Sequence, residues 1–414
     1  MNITSDVKYI GVDDTTIDLF ESQYPVPQGI SYNSYVILDV KIAVMDTVDA
    51  RRMEEWEEKL MAALNGRKVD YLVIHHLEPD HAGSIGRLVE LFPNMVLIGN
   101  AKTFQMLPQF FDFSLKGRTM TVQEGESLCL GTHTLTFLMA PMVHWPEVMV
   151  THDNKDKILF SADAFGTFGV LGNHDTVEAI GTAEERSAEE ANDTVESGKN
   201  RDWADEAARY YFNIVGKYGG PVQALLRKID GLDLAFICSL HGPVLHDNLE
   251  YYLGLYNMWS SYRPECEGVL IAYASIYGNT RKVAEKAAEL LQKQGVRAVL
   301  RDLAREDMSE TISLAFRFDR MIVAAASYEG GVFSCMQDFL LHLKNKSYQK
   351  RRVAMIENGS WAPSAVRAMK CLLETMKDIE VLEPIVTIRA AMKEEDMEEV
   401  EKLVLNLSGS GDGR

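Results

Sequence analysis

Apolar positions along this chain follow two alternating periods. Short runs of β-branched and aromatic residues predict strands at residues 35–38, 42–45, 71–74, 95–99 and 135–138, and again at 158–160 and 234–238. The first two pair as a hairpin across Asp39-Val40-Lys41. Met53, Trp56, Leu60 and Leu64 stand at helical spacing and predict an amphipathic helix over residues 50–64. Another helix is expected over 83–91, stopped by Pro93. Tyr24-Pro25 and Gly29-Ile30-Ser31-Tyr32-Asn33 read as a loop, with Tyr32 structural. From residue 269 the pattern changes. Largely apolar runs at 269–273, 321–325, 352–356 and 381–388 alternate with helical stretches at 281–294 and 393–406, as in a buried parallel sheet. The reading is an α/β protein with one domain over 1–263, a second over 264–408 and a Gly/Ser/Asp tail at 409–414 expected to be disordered.

Composition narrows the classes without changing that picture. A chain of 414 residues is ample for such domains, and 46% hydrophobic with 25% charged residues is ordinary for a globular protein. No apolar run is long enough for a membrane span. The opening Met1-Asn2-Ile3-Thr4-Ser5-Asp6 has neither the basic flank nor the apolar core of a leader, which predicts a cytoplasmic protein. A net charge of −19 argues against nucleic acid and anionic membranes as partners. Cys129, Cys238, Cys266, Cys335 and Cys371 are widely spaced with no C-x-x-C pair, which predicts free thiols and no rubredoxin-type or zinc-ribbon module among these residues. Residues 173–208 are acidic and rich in Ala, Ser and Thr, which predicts a solvated surface insertion.

The densest chemistry is His75-His76-Leu77-Glu78-Pro79-Asp80-His81, directly after the strand at 71–74. His76, Glu78, Asp80 and His81 crowd one turn at a strand's carboxyl end, where open α/β sheets place their sites. Imidazole-rich sets suit zinc, whereas an added carboxylate brings hard anionic oxygen that favours iron. His144, Asp163 and His241 also follow strands, although Asp163 alone reads as a helix cap or turn residue and an isolated histidine as a structural one. The remaining histidines, His75, His133, His152, His174, His246 and His342, are expected to be structural or exposed, with His75 a neighbour of the cluster. Either Tyr210 or Tyr211 is expected to face the metal cavity.

The spacing H-x-E-x-D-H resembles the metallo-β-lactamase superfamily loop H-x-H-x-D-H with Glu78 in place of the second histidine. That replacement, with the other ligand types kept, resembles the flavodiiron protein family. The resemblance implies an N-terminal metallo-β-lactamase-like αββα sandwich. It implies one iron on His76, Glu78 and His144, another on Asp80, His81 and His241, and Asp163 bridging them.

In the second half, Val269-Leu270-Ile271-Ala272-Tyr273 runs into Ser275-Ile276-Tyr277-Gly278-Asn279-Thr280 and then a helix. Strand, hydroxyl- and Gly-rich loop, then helix N-terminus makes a phosphate cradle, and the absence of a G-K-[ST] lysine excludes a nucleoside-triphosphate loop. S-x-Y-G-N-T resembles the FMN phosphate loop of flavodoxins. Ser327-Tyr328-Glu329-Gly330-Gly331 and Asn358-Gly359-Ser360-Trp361 resemble the loops that bracket the flavin ring, with Trp361 or Tyr328 as a stacking partner. The implied second domain is a flavodoxin-like doubly wound α/β fold.

Together these resemblances imply an oxidoreductase that reduces O2 to water, NO to N2O, or both, with two Fe and FMN as cofactors. They also imply a head-to-tail homodimer or dimer of dimers, with electrons from a separate rubredoxin-like or deazaflavin donor. The basic run Lys344, Lys346, Lys350, Arg351 and Arg352 is the candidate surface for an acidic donor. The competing reading is a dinuclear metallohydrolase with a flavodoxin-like accessory domain, signed by zinc and no flavin; Glu78 weighs against it. An electron carrier with a structural metal site is a further alternative. O2 against NO preference, the donor and the role of the acidic insertion are not encoded in these motifs.

Overall fold

A computed structural model describes residues 1–170 and 203–409. The chain forms two compact units, one from residues 1–211 and 220–257, the other from 212–219 and 258 onward.

In the first unit, two six-stranded sheets face each other. One sheet carries Val7–Tyr9, Tyr35–Leu38, Ile42–Met45, Tyr71–Val73, Val96–Gly99 and Thr119–Thr121 in spatial order. The other carries Ser127–Cys129, Thr134–Met139, Met149–Asp153, Ile158–Phe160, Phe236–Cys238 and Leu245–His246. Apolar residues of both inner faces, among them Ile37, Met45, Val73, Ile98, Phe137, Met149 and Phe160, form one core. Met53–Leu64 buries the Trp56, Leu60 and Leu64 face expected from its spacing. The result is the metallo-β-lactamase-like sandwich.

Several local expectations change. Pro79–Ala82 is already a helical turn, so Asp80 and His81 sit on a helix rather than in a loop ahead of one; proline at its first position suits helix entry. Tyr24–Pro25 and Ile30–Tyr32 are short strands, paired with Leu19–Phe20 and Val12–Asp14, rather than loop. Of the expected solvated insertion, residues 171–202 lie outside the described residues, as does the tail from 410. The insertion's end is helix Trp203–Tyr210, which buries Trp203, Ala204, Ala207 and Ala208 and so is not a solvated segment.

The second unit has five parallel strands in the order Ala298–Asp302, Cys266–Ala274, Phe318–Tyr328, Arg351–Asn358 and Ile379–Val381. Numbered along the chain this is second, first, third, fourth, fifth, the flavodoxin-like order. The single strand expected over 381–388 is two, Ile379–Val381 and Val386–Ile388, both paired with Arg351–Asn358; Pro384 between them cannot donate to the ladder. Helices Asn279–Lys293 and Glu394–Ser408 cover one face through Val283, Ala287, Leu291, Val400, Leu403 and Leu407.

Within the basic run Arg351 is buried, while Lys344 and Lys350 are exposed. The Arg351 guanidinium donates to the carbonyls of Phe316, Phe318 and Tyr262. Lys346 Nζ donates to Asn213 O at 2.6 Å, Lys350 Nζ to Ser261 O at 3.0 Å, and Arg352 to the carbonyls of Asn406 and Gly409. These side chains serve buried or terminal carbonyls, as chain ends require.

Candidate metal centre and flavin loops

The ends of strands Tyr71–Val73, Thr134–Met139, Ile158–Phe160 and Phe236–Cys238 lead into the parts of one buried cluster. His76, Glu78, His144 and Asp163 form one group, and Asp80, His81 and His241 another, with the ligand atoms of each group within 4.8 Å of one another. Glu78 Oε2 lies 3.2 Å from His76 Nε2 and 3.1 Å from His144 Nε2. Asp163 Oδ2 lies 3.1 Å from His144 Nε2 and 3.4 Å from His76 Nε2, while its Oδ1 lies 3.2 Å from His81 Nε2. Asp80 Oδ2 lies 3.3 Å from His81 Nε2 and 3.2 Å from His241 Nε2. Asp163 therefore faces both groups, one oxygen to each. All seven residues read from the sequence are brought together.

The atoms fit a pair of cations. Both oxygens of Asp80, both ring nitrogens of His81, Asp163 Oδ1 and His241 Nε2 are buried without a hydrogen bond. Buried polar atoms are seldom left unpaired, and lone pairs that converge without a shared proton have the arrangement of a ligand set. The ion-pair partners of the three carboxylates are imidazoles alone, with no described lysine or arginine paired to them. Burial works against the charged form of Asp163, yet His76, His81 and His144 hold its carboxyl well below the usual range. Glu78 is likewise depressed against its burial by His144 and His76. Burial opposes protonation of His144, but Asp163 and Glu78 outweigh it and lift the ring to about 9. Such a site favours positive charge between its ligands.

Behind the ligands stand residues that the sequence reading missed. Glu147 is fully buried; its Oε1 accepts from His76 Nδ1 at 2.9 Å and from Leu77 N at 2.9 Å. His241 Nδ1 donates to Ser31 O at 2.7 Å. Both contacts leave the Nε2 atoms free to face the cluster. Asp46 accepts from the amide of His75 at 2.7 Å and pairs with its ring, whose other nitrogen lies 2.7 Å from Thr151 Oγ1; His75 thus braces the loop and is not a ligand candidate. The available signal for Asp46 was an acid directly after an apolar strand; Glu147, in a turn three residues after His144, had none of its own. Glu147→Gln keeps the shape but weakens the orienting bond, and metal affinity is expected to fall about 10–100-fold with the fold intact, read by competition with a chelator.

Tyr210, not Tyr211, borders the centre. Its ring lies 5.5 Å from that of His241, and its buried hydroxyl has no hydrogen-bond partner. Tyr211 packs against Tyr256. Phe20 meets His241 edge-on at 5.3 Å, Tyr32 at 6.1 Å, and Trp145 stands 5.1 Å from His76. His133 and His152 are buried away from the cluster, His246 and His342 are partly exposed, and His174 lies outside the described residues. His133 also groups with Asp153 and Asp156, but Lys155 Nζ lies 3.1 Å from its Nε2 and already supplies a cation.

In the second unit the expected flavin residues gather at the carboxyl ends of three adjacent strands, in register through Ala274 with Ala325 and Ala326 with Asn358. Gly278 has φ +89, a conformation suited to glycine, and its amide donates to Ser275 Oγ at 3.1 Å ahead of helix Asn279–Lys293. Ile276, Asn279 and Thr280 belong to this turn and helix start. Ser327 and Tyr328 end their strand, Glu329 and Gly330 turn, and Gly331 begins the return. Tyr277, Trp361 and Tyr328 are 94%, 88% and 49% exposed, so none of these rings belongs to the core. Gly359 and Ser360 complete the third loop. A helix N-terminus suits a phosphate, and exposed rings beside it suit stacking on a flavin.

Residues 30–208 match the family model described as ODP family beta lactamase, and residues 271–402 match that for flavodoxin. An uncharacterized protein of Methanocaldococcus jannaschii is 26% identical over 96% of this chain and 95% of its own length. The anaerobic nitric oxide reductase flavorubredoxin of Pectobacterium atrosepticum is 26% identical over 88% of this chain and 69% of its own. The structure of rubredoxin oxygen:oxidoreductase from Desulfovibrio gigas superposes with a TM-score of 0.86 at 22% identity, covering 99% of this chain and 97% of that one, a likeness of fold. With both domain models matched in series and relatives spanning both, the chain is similar over nearly its whole length to flavodiiron proteins, oxidoreductases that carry a diiron centre and FMN.

Proposed function

We propose that this chain reduces O2 to water, NO to N2O, or both, at a diiron centre held by His76, Glu78, Asp80, His81, His144, Asp163 and His241. Electrons pass through FMN on the loops 275–280, 327–331 and 358–361 from a separate rubredoxin-like or deazaflavin donor. The observation that carries the reading is the convergence of four imidazoles and three carboxylates in two groups that both meet Asp163. When bound, the irons supply redox change and open positions for a diatomic gas, and FMN supplies electrons. The chain's own residues do the rest. Glu147 and the Ser31 carbonyl aim His76 and His241. Burial keeps the Tyr210 phenol protonated far above its ordinary range, so its unpartnered hydroxyl offers a hydrogen bond beside His241. Phe20, Tyr32 and Trp145 limit water around the ligands.

The working assembly in this reading is a head-to-tail homodimer or dimer of dimers, in the cytoplasm, with the flavin of one subunit serving the metals of the next. No described helix is long and apolar enough to cross a membrane. The test begins with anaerobic purification and assay of iron, zinc and FMN per chain. Chemically reduced protein is then mixed with O2 or NO. Iron and FMN with rapid flavin reoxidation by either gas is the expected result; zinc without flavin would instead favour a hydrolase. Co-expression of Asp163→Asn chains with Gly278→Val chains, one defective in metal and the other in flavin, is expected to restore turnover that neither has alone. No restoration would exclude transfer across subunits.

A further inference from the structure

Beneath the flavin loops lies a buried carboxylate outside all three of them. Glu357, in strand Arg351–Asn358, is 7% exposed and uses both oxygens. Oε2 accepts from Val366 N at 3.0 Å, in the first turn of helix Ala365–Leu373. Oε1 accepts from Thr387 Oγ1 at 2.9 Å, on strand Val386–Ile388. One side chain thus ties a strand end to the helix after the loop and to the neighbouring strand. No described lysine or arginine pairs with it; the helix N-terminus is what faces its charge.

The segment it anchors is closed at both ends. Asn358 Nδ2 donates to Ala390 O at 2.8 Å while Ala390 N donates to Asn358 Oδ1 at 3.1 Å, and Gly359 N donates to Ile388 O at 3.0 Å. At the far end, Ser327 Oγ accepts from Ser364 N at 2.8 Å and Ala365 N at 3.2 Å, and Ser364 Oγ donates to Gly331 O at 2.8 Å. A Cβ on Gly359 would stand 2.9 Å from Pro363 Cα and 3.0 Å from Ser327 Oγ, so the loop is folded tightly back on itself. Its tip is the exposed Trp361.

A neutral glutamine could accept from Val366 N through its one oxygen and donate its NH2 to Thr387 Oγ1, keeping two hydrogen bonds, one of them reversed, with less desolvation cost. What a carboxylate adds is negative charge in a buried place at the root of the loop 359–364. We propose that Glu357 is a positioning residue of the flavin site, which shapes the loop 359–364 for FMN and whose charge makes this chain hold oxidised FMN in preference to reduced FMN. This rests on the flavin reading above. Two-electron reduction with uptake of one proton leaves the ring one negative charge richer, so a fixed carboxylate opposes it and makes the reduced flavin a stronger donor to the irons.

The test uses the full chain stripped of flavin, titrated anaerobically with oxidised and with dithionite-reduced FMN, and followed by absorbance and fluorescence. Glu357→Gln is expected to leave affinity for oxidised FMN within about threefold and to tighten reduced FMN at least about tenfold, the size of a nearby charge effect. Thr387→Val, which keeps the charge and removes one hydrogen bond, is expected to weaken both forms alike. Circular dichroism and iron content verify that each variant is folded. An unchanged ratio of the two affinities in Glu357→Gln would overturn the inference. Failure of the unaltered chain to bind FMN would overturn the flavin reading on which it rests.

Discussion

Asp163→Asn is expected to empty one metal position per chain and to abolish gas reduction while FMN binding persists. The carboxylate sits with Oδ2 3.1 Å from His144 Nε2 and Oδ1 3.2 Å from His81 Nε2, so each group depends on one of its oxygens. An amide keeps the volume but turns one end into an N–H donor, which has no lone pair for a cation. It also removes negative charge from a fully buried site whose acids offset the repulsion between two metal ions. Metal assistance to charge development is worth several kcal/mol, so turnover should fall at least about a thousandfold. Elemental analysis, flavin absorbance and reoxidation by O2 and NO give the three readouts. A variant with normal iron and normal turnover would remove Asp163 from the centre.

The second large effect is expected from Glu78→His, which restores the imidazole typical of the parent superfamily loop. Glu78 Oε2 lies within 3.2 Å of two imidazole nitrogens, so a ring at this position reaches the same place. With harder oxygen replaced by nitrogen, the first group becomes an all-histidine set plus Asp163. Divalent zinc then outcompetes iron, since affinity for nitrogen sites rises from iron toward the end of the first-row series. The variant should purify with zinc in excess of iron, bind FMN normally, and leave the reduced flavin unoxidised by either gas. If it still loads iron and turns over, metal choice is made elsewhere, by geometry or supply.

How much of this centre was legible depended on distance along the chain. His76, Glu78, Asp80 and His81 lie within six consecutive residues, and a strand running into a helical turn puts them on one side by local geometry alone. His144, Asp163 and His241 carry no such local mark; resemblance suggested them, and only the packing of separate strand ends puts them beside the loop. Glu147 escaped because an acid in a turn reads as solvated until its burial is known. Tyr210 and Tyr211 were indistinguishable because neighbours on a helix point about 100° apart and either phase fits an apolar pattern. One member of the basic run was equally hidden from the sequence. Five cations in a short stretch look like a surface, but Arg351 is drawn inward by carbonyls from two other segments.

The parts that short-range physics controls could be read from the residues alone. These are the alternation of buried strands and amphipathic helices, the turn that gathers four candidate metal ligands, the glycine-dependent turn before helix Asn279–Lys293 and the parallel second sheet. Each follows from side-chain period, turn chemistry or ligand spacing within a few residues. Tertiary structure alone decided which oxygen of Asp163 meets which group, which tyrosine borders the metals, and where a buried carboxylate such as Glu357 finds its partners. Those outcomes depend on register and packing between segments up to hundreds of residues apart, such as Ser31 and His241. Neither periodicity nor composition carries that information.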